Sequence, residues 1–188
     1  DTPVDKQDKS DISQIMDNIE WLIPHLRSGV VIHITAQVPV GTCDKICDLI
    51  EKQRNDLAFG LAYSPENLRL GEALARYRNP SLPVIGSTDS NTIQTLSEFY
   101  SWTGAKWNGC DLKTAEMLKH ALNAYMALSI TFANEIGNIC DKIGADGQIL
   151  GNFLKLEPRI SQHALLSPGL GFSGGTLARD IQTLRKVG

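Results

Sequence analysis

Apolar residues recur at helical spacing through Ile15, Ile19, Leu22 and Ile23, behind Asp11-Ile12-Ser13 and ahead of Pro24. Steps of three and four predict an amphipathic helix, and the proline ring ends it because it cannot continue the backbone ladder. Gly29 then leads into Val30-Val31-Ile32-His33-Ile34-Thr35, a β-branched run that reads as a strand ending before Pro39. Gly41-Thr42 precedes a predicted helix from Cys43 to about Arg54, with Thr42 as its cap. Leu57 to Tyr63 reads as a second buried strand, and Leu82 to Gly86 as a short third. Thr88-Asp89-Ser90 opens a helix through Ile93, Leu96 and Phe99. Strands alternating with helices of this length predict βαβ units and a parallel sheet.

The pattern changes past residue 110. Between Asp111 and Ile143 there is no proline, and Gly137 is the one glycine. Apolar positions fall at Leu112, Ala115, Leu118, Leu122, Tyr125, Leu128, Phe132, Ile136, Ile139 and Ile143, which marks one long helix. At the α-helical rise it would span about 50 Å, against roughly 11–12 residues for an ordinary helix. Such a helix needs more than one neighbour, for example two flanking domains or a partner subunit. Gly144-Ala145-Asp146-Gly147 ends it. A shorter helical stretch, a glycine-rich loop at 169–175 and a last helix from about Thr176 follow. The domain boundary is expected near Asn108–Cys110, giving units of 1–109 and 110–188.

Composition narrows the class. The chain has 188 residues, room for one large domain or two small ones at ~100–200 residues each. Hydrophobic residues make up 42% and charged residues 21%, which excludes a disordered tail, a collagen-like fibre and a disulfide miniprotein. A net charge of −3 argues against a nucleic-acid partner. No run approaches the ~18 apolar residues of a membrane helix, so no membrane partner is expected, and no basic-then-apolar leader is visible. The sequence starts at Asp1 without a methionine and stops at Val187-Gly188, just after a helix-like run. That suggests a piece of something longer.

The candidate chemistry is at first ambiguous. Cys43 and Cys47 form C-x-x-x-C rather than C-x-x-C, and His25, His33, His120 and His163 never pair at ligand spacing, so no metal is expected. Free thiols, including Cys110 and Cys140, suggest a reducing cytoplasm. Gly169-Leu170-Gly171-Phe172-Ser173-Gly174 matches G-x-G-x-x-G, yet Ser167-Pro168 precedes it where a dinucleotide fingerprint needs a buried strand. The glycines read better as a tight loop at a helix N-terminus, where amides favour an anion or a developing oxyanion.

Several segments fall in a suggestive order. They are Thr35-Ala36-Gln37-Val38-Pro39-Val40-Gly41-Thr42, Tyr63-Ser64-Pro65-Glu66-Asn67-Leu68-Arg69 and Ala115 to Tyr125, then Phe132-Ala133-Asn134-Glu135, Gly144-Ala145-Asp146, and Pro168 to Asp180. Their order and spacing resemble the UDP-glucose/GDP-mannose dehydrogenase family over nearly the whole chain. The resemblance implies an α/β fold: the C-terminal part of a Rossmann-like NAD domain, then an all-α central dimerisation domain built on one long helix. It implies oxidation of a nucleotide sugar with NAD, and a homodimer through the helix at 111–143. The glycine fingerprint would lie before Asp1 and a nucleotide-sugar domain after Gly188.

The resemblance also assigns roles. Lys119 and Asn123 match the family's catalytic lysine and asparagine, and Asp180 its catalytic aspartate. Read alone, Lys119 and Asn123 are more simply a solvated lysine beside a helix-surface asparagine, and Asp180 a first-turn aspartate complementing the helix dipole. Glu66, Leu68, Arg159, Gly171 and Gly174 are implied at the substrate, with Arg159 reaching across the dimer. Gln37, Pro39 and Glu66 are implied at the cofactor. Three positions depart from the family pattern. Thr176 stands where the family has its nucleophilic cysteine, Leu70 where it has a glutamate that assists thioester hydrolysis, and Gln37 where it has a threonine. A threonine hydroxyl is a poor nucleophile without an adjacent base. The alcohol-oxidation residues therefore remain while two residues of the thioester step are gone, which points to a reaction that stops after one hydride. A non-catalytic dimerisation module and a β-hydroxyacid dehydrogenase are the rival readings.

Overall fold

The computed structural model describes residues 2–3, 10–68, 71–172 and 175–187. They form two compact units, Asp1–Lys119 and His120–Gly188.

The first unit is built on a four-stranded sheet in the order β1 (Val30–Ile34), β2 (Phe59–Tyr63), β3 (Val84–Ser87), β4 (Asn108–Cys110). Strands β1 and β2 run parallel, Val30 opposite Phe59 and Ile34 opposite Tyr63, joined by α2 (Thr42–Gln53). The wholly parallel sheet expected from the pattern is not what forms. Strand β3 is antiparallel to β2, with Ala62 opposite Ser87, and β4 is parallel to β3. The cause is the connection. A parallel return needs a crossover that packs over the sheet face, usually through a buried helix. The helix between β2 and β3, α3 (Ala73–Arg78), has six residues and buries none of them, so the chain turns back at the same edge.

Alternation along the strands gives each face its own core. On one face Ile34, Leu61 and Tyr63 pack with Ile19 and Ile23 from α1 (Ser13–Leu22) and its end, and with Cys43, Ile46 and Ile50 of α2. On the other, Ala62 and Ile85 pack with Leu96 and Tyr100 at α4 (Ser90–Phe99), flanked by Val31 and Trp107. The side chain of Asp89 caps α4 as expected, accepting from the amides of Asn91 (3.1 Å) and Thr92 (3.0 Å). Thr42, expected to cap α2, is instead its first helical residue. Gly41 holds the cap position at φ +85°, a left-handed conformation that glycine adopts without strain. The Thr42 hydroxyl turns back to donate to the Pro39 carbonyl at 2.6 Å.

Helix α5 (Leu112–Ile143, 32 residues) begins in this unit. Its start lies against β3 at Gly86, where a Cβ would come within 2.5 Å of the Ala115 Cβ and 2.9 Å of the Asp111 carbonyl oxygen.

The second unit holds the remainder of α5, α6 (Gly147–Leu154) and α7 (Gly175–Val187). Asp146 caps α6 by accepting from the Ile149 amide at 2.9 Å. Gly151 lies so close to Leu166 that a Cβ would overlap its carbonyl oxygen. Along α5, Tyr125, Leu128, Phe132, Ile139 and Ile143 are exposed, an apolar stripe at steps of three, four and seven. Among the described residues no helix is long and apolar enough to cross a membrane.

Candidate active site

In open α/β folds, ligands bind beyond the carboxyl ends of the strands. At that edge β2 runs into Ser64-Pro65-Glu66-Asn67-Leu68, tied to β1 by the Ser64 amide, which donates to the Ile34 carbonyl at 3.0 Å. His33, Ser64, Glu66, Tyr77, Tyr100 and Trp107 line a cleft here. The Ser64 hydroxyl and His33 Nε2 are buried with no hydrogen-bond partner among the described residues. Burial holds the His33 imidazole neutral, its pKa lowered to about 4, with Nδ1 at 3.3 Å from the Tyr100 hydroxyl. Burial and the neighbouring Tyr77 push the Tyr100 phenol up to about 12, and its ring stacks on Trp107 at 4.7 Å.

Glu66 is exposed beside this cleft, and Leu68 is 40% exposed. Gln37 is buried, with its backbone carbonyl accepting from the Thr2 hydroxyl at 2.6 Å. Pro39 is half-buried in the turn before α2. Lys119 is half-buried, and its Nζ donates to Asn67 Oδ1 at 2.8 Å, tying α5 to the segment after β2.

One turn before Lys119 lies Glu116, a fully buried carboxylate. Oε2 accepts from the Gly41 amide at 2.6 Å and Oε1 from the Cys43 amide at 2.8 Å. The N-terminus of α2 is thus capped from 75 residues away. Two amides at this helix start, those of Gly41 and Cys43, are thereby engaged by a carboxylate of the chain itself. Sequence reading missed Glu116, although an acidic residue interrupting the apolar face of a long helix is a usable signal. Burial, and then the same carboxylate, push the Cys43 thiol far up, and burial raises Cys47 to about 11, so neither is a thiolate nucleophile.

In the second unit Asp180 is completely buried on α7. His120 Nδ1 lies 2.8 Å from its Oδ1, and Asn123 Nδ2 donates to its Oδ2. Arg179 Nε is 3.8 Å from Oδ1. Asn123 and Asp180 are therefore brought into direct contact. His120, three residues before Asn123 on the same helix, was not singled out by the sequence pattern. Thr176 is exposed at the start of α7, and Gly171 is exposed in the loop before it. Arg159 is a surface residue, 87% exposed, whose Nε bonds Glu157 at 2.6 Å. Gly174 and Leu70 lie outside the described residues.

Residues 1–103 match the family model described as the UDP-glucose/GDP-mannose dehydrogenase family, NAD binding domain, and residues 113–188 match that family's central domain. The chain belongs to the UDP-glucose/GDP-mannose dehydrogenase family. It is similar to UDP-glucose 6-dehydrogenase YwqF of Bacillus subtilis (strain 168), 33% identical over 99% of this chain and 42% of that protein. UDP-glucose 6-dehydrogenase of Rickettsia bellii (strain RML369-C) is 32% identical over 99% of this chain and 43% of its own length. Among solved structures, a UDP-glucose dehydrogenase from the hyperthermophilic archaeon Pyrobaculum islandicum superposes with a TM-score of 0.88 at 26% identity, covering 99% of this chain and 44% of that one. The chain therefore spans less than half the length of these relatives.

As a member of this family the chain contributes an α/β NAD-binding unit followed by a helical central domain, the class expected from its pattern. The cofactor implied by the resemblance, NAD, is the one by which the matched N-terminal domain is described. The carboxyl edge of β1 and β2 suits it, since Ser64 and His33 present buried polar atoms there beside Glu66. The Gly169–Gly174 match to a dinucleotide fingerprint falls in the central domain, outside the NAD-binding match.

Proposed function

We propose that the whole protein containing this chain is an NAD-dependent dehydrogenase of a nucleotide-activated sugar, and that it performs one two-electron step. The family match across both domains carries the class. Thr176 and Leu70, in place of the cysteine and glutamate of the thioester step, carry the limit to one oxidation.

NAD would accept the hydride from the alcohol carbon. The remaining work falls to this chain's side chains. Lys119 in its neutral amine form, with a water held with Asp180, takes the hydroxyl proton and becomes the ammonium, and the bond from its Nζ to Asn67 keeps the arm from swinging into solvent. Asn123 offers an N–H to the developing alkoxide, a donor aimed where charge grows. Asp180 holds the Asn123 amide through the bond between them. Thr176 stands where the family's nucleophilic cysteine would form a covalent intermediate, and a threonine hydroxyl is a far poorer nucleophile than a thiolate. Glu66, Leu68, Arg159, Gly171 and Gly174 are assigned to the substrate, and Gln37, Pro39 and Glu66 to the cofactor. The functional division falls at 1–109 and 110–188.

The exposed apolar stripe of α5 supports a homodimer through the helix at 111–143. The four cysteines are free, which supports a reducing, cytoplasmic setting. Stopped assays with UDP-sugars and GDP-sugars, counting NADH per sugar consumed, test the chemistry. One NADH per sugar is expected. Two would sink the single-step reading, and none would favour a non-catalytic module. Sedimentation of the protein as a monomer would remove the dimer.

A further inference from the structure

We propose that His120 is a positioning residue of the oxidation site, clamping Asp180 so that Asn123 presents its amide in one orientation. The inference rests on the dehydrogenase reading above and extends it to a residue that reading does not use. His120 is 1% exposed and Asp180 is 0% exposed. A carboxylate only accepts, so the 2.8 Å contact requires the proton on His120 Nδ1. His120 and Asn123 stand three apart on α5 and so share a face. From that face they take one carboxylate oxygen each, His120 on Oδ1 and Asn123 on Oδ2.

The consequence lies in the amide. A side-chain amide has two N–H groups and one carbonyl, and in isolation it can flip. With one N–H committed to Asp180 Oδ2, the second N–H and Oδ1 are fixed in direction. That second N–H is the donor an alkoxide needs. The His120 bond to Asp180 Oδ1 contributes to holding that carboxylate in place. Arg179, next to Asp180 on α7, has its Nε 3.8 Å from Oδ1, too long for a hydrogen bond but close enough to attract. The His120 donor fixes one oxygen of the carboxylate while Asn123 takes the other, so the carboxylate cannot turn without lengthening one of the two bonds. A buried staple joining two helices would also use a His–Asp pair. A staple affects stability; a clamp on Asn123 affects turnover.

The test uses the whole protein. His120→Leu removes the donor, and His120→Asn keeps an N–H near the Nδ1 position. For His120→Leu, kcat should fall about 10- to 100-fold, the effect of losing one charge-assisted hydrogen bond, with KM for NAD unchanged. His120→Asn should retain kcat to within about threefold of the parent. Nitrogen-15 spectra of the imidazole should show a protonated Nδ1 that shifts in Asp180→Asn. An active parent with unchanged kcat in His120→Leu overturns the clamp alone. So does an Nε2–H tautomer with bare Nδ1, or an equal loss in both variants. A parent that never reduces NAD with any nucleotide sugar overturns the dehydrogenase reading and the role of His120 together. If His120→Leu does not fold, His120→Asn and the spectra still decide.

Discussion

Replacing Glu116 by glutamine changes one oxygen to an NH2 group and almost nothing in volume. The parent carboxylate is fully buried and takes two amide donors, Gly41 at 2.6 Å and Cys43 at 2.8 Å. A hydrogen bond to a charged group contributes about 1.5–3 kcal/mol, and a cap at a helix N-terminus gains further from the dipole. In Glu116→Gln one amide keeps an oxygen acceptor and the other faces an N–H donor. The loss is one charged bond plus a buried donor without an acceptor, so about 2–4 kcal/mol is expected. For a chain of this size that lowers the melting temperature by roughly 4–16 °C, at ~2–4 °C per kcal/mol. Thermal and urea unfolding followed by circular dichroism measure it. Lys113→Gln is the control. Its ion pair with Asp44 also joins α5 to α2, but both side chains are solvent-exposed, so the melting temperature should not move. A Glu116→Gln variant as stable as the parent would refute the capping argument.

Three further outcomes can be measured. His33 is lowered from 6.5 to about 4 by burial, so above pH 6.5 it is neutral in both folded and unfolded chains. As pH falls from 6.5 toward about 4 the unfolded chain takes up a proton that the folded one resists, and stability drops; His33→Gln should flatten that part of the urea-midpoint profile, and an unchanged profile would contradict it. Gly151→Ala forces a methyl into the Leu166 carbonyl and should cost about 1–3 kcal/mol in urea unfolding, whereas a neutral result would mean that the two segments can separate freely. In the whole protein, Thr176→Cys combined with Leu70→Glu should raise NADH released per sugar from one toward two, and a trapped thioester should be visible by mass spectrometry; no gain in stoichiometry would count against Thr176 as the limiting substitution.

The periodic elements were legible in the sequence because burial on one face writes itself into spacing. Helix α5 was expected at 111–143 and runs from Leu112 to Ile143, and Asp89 caps α4 as its position suggested. Strand β4 was not legible. Asn108-Gly109-Cys110 carries no β-branched residue, and these residues become a strand only because their backbone pairs with β3. The direction of β3 was hidden for a similar reason: it depends on the route of the connection and not on the strand. Lys119, Asn123 and Asp180 stood out through the family resemblance and not through their own pattern. Glu116 and His120 were silent because their partners lie 75 and 60 residues away. No local window contains such a pair.

The contact between Gly86 and the first turn of α5 also constrains how this sequence can drift. A Cβ at 86 would meet the Ala115 Cβ at 2.5 Å and backbone at Asp111, so trimming Ala115 to glycine relieves only one of the two clashes. Neither position can enlarge alone, and enlargement at 86 has no single compensating change. Among descendants of this chain that keep the helix seated on β3, residue 86 should stay glycine and residue 115 should stay small. Lineages that lose that restriction should be those in which α5 has moved away from the strand.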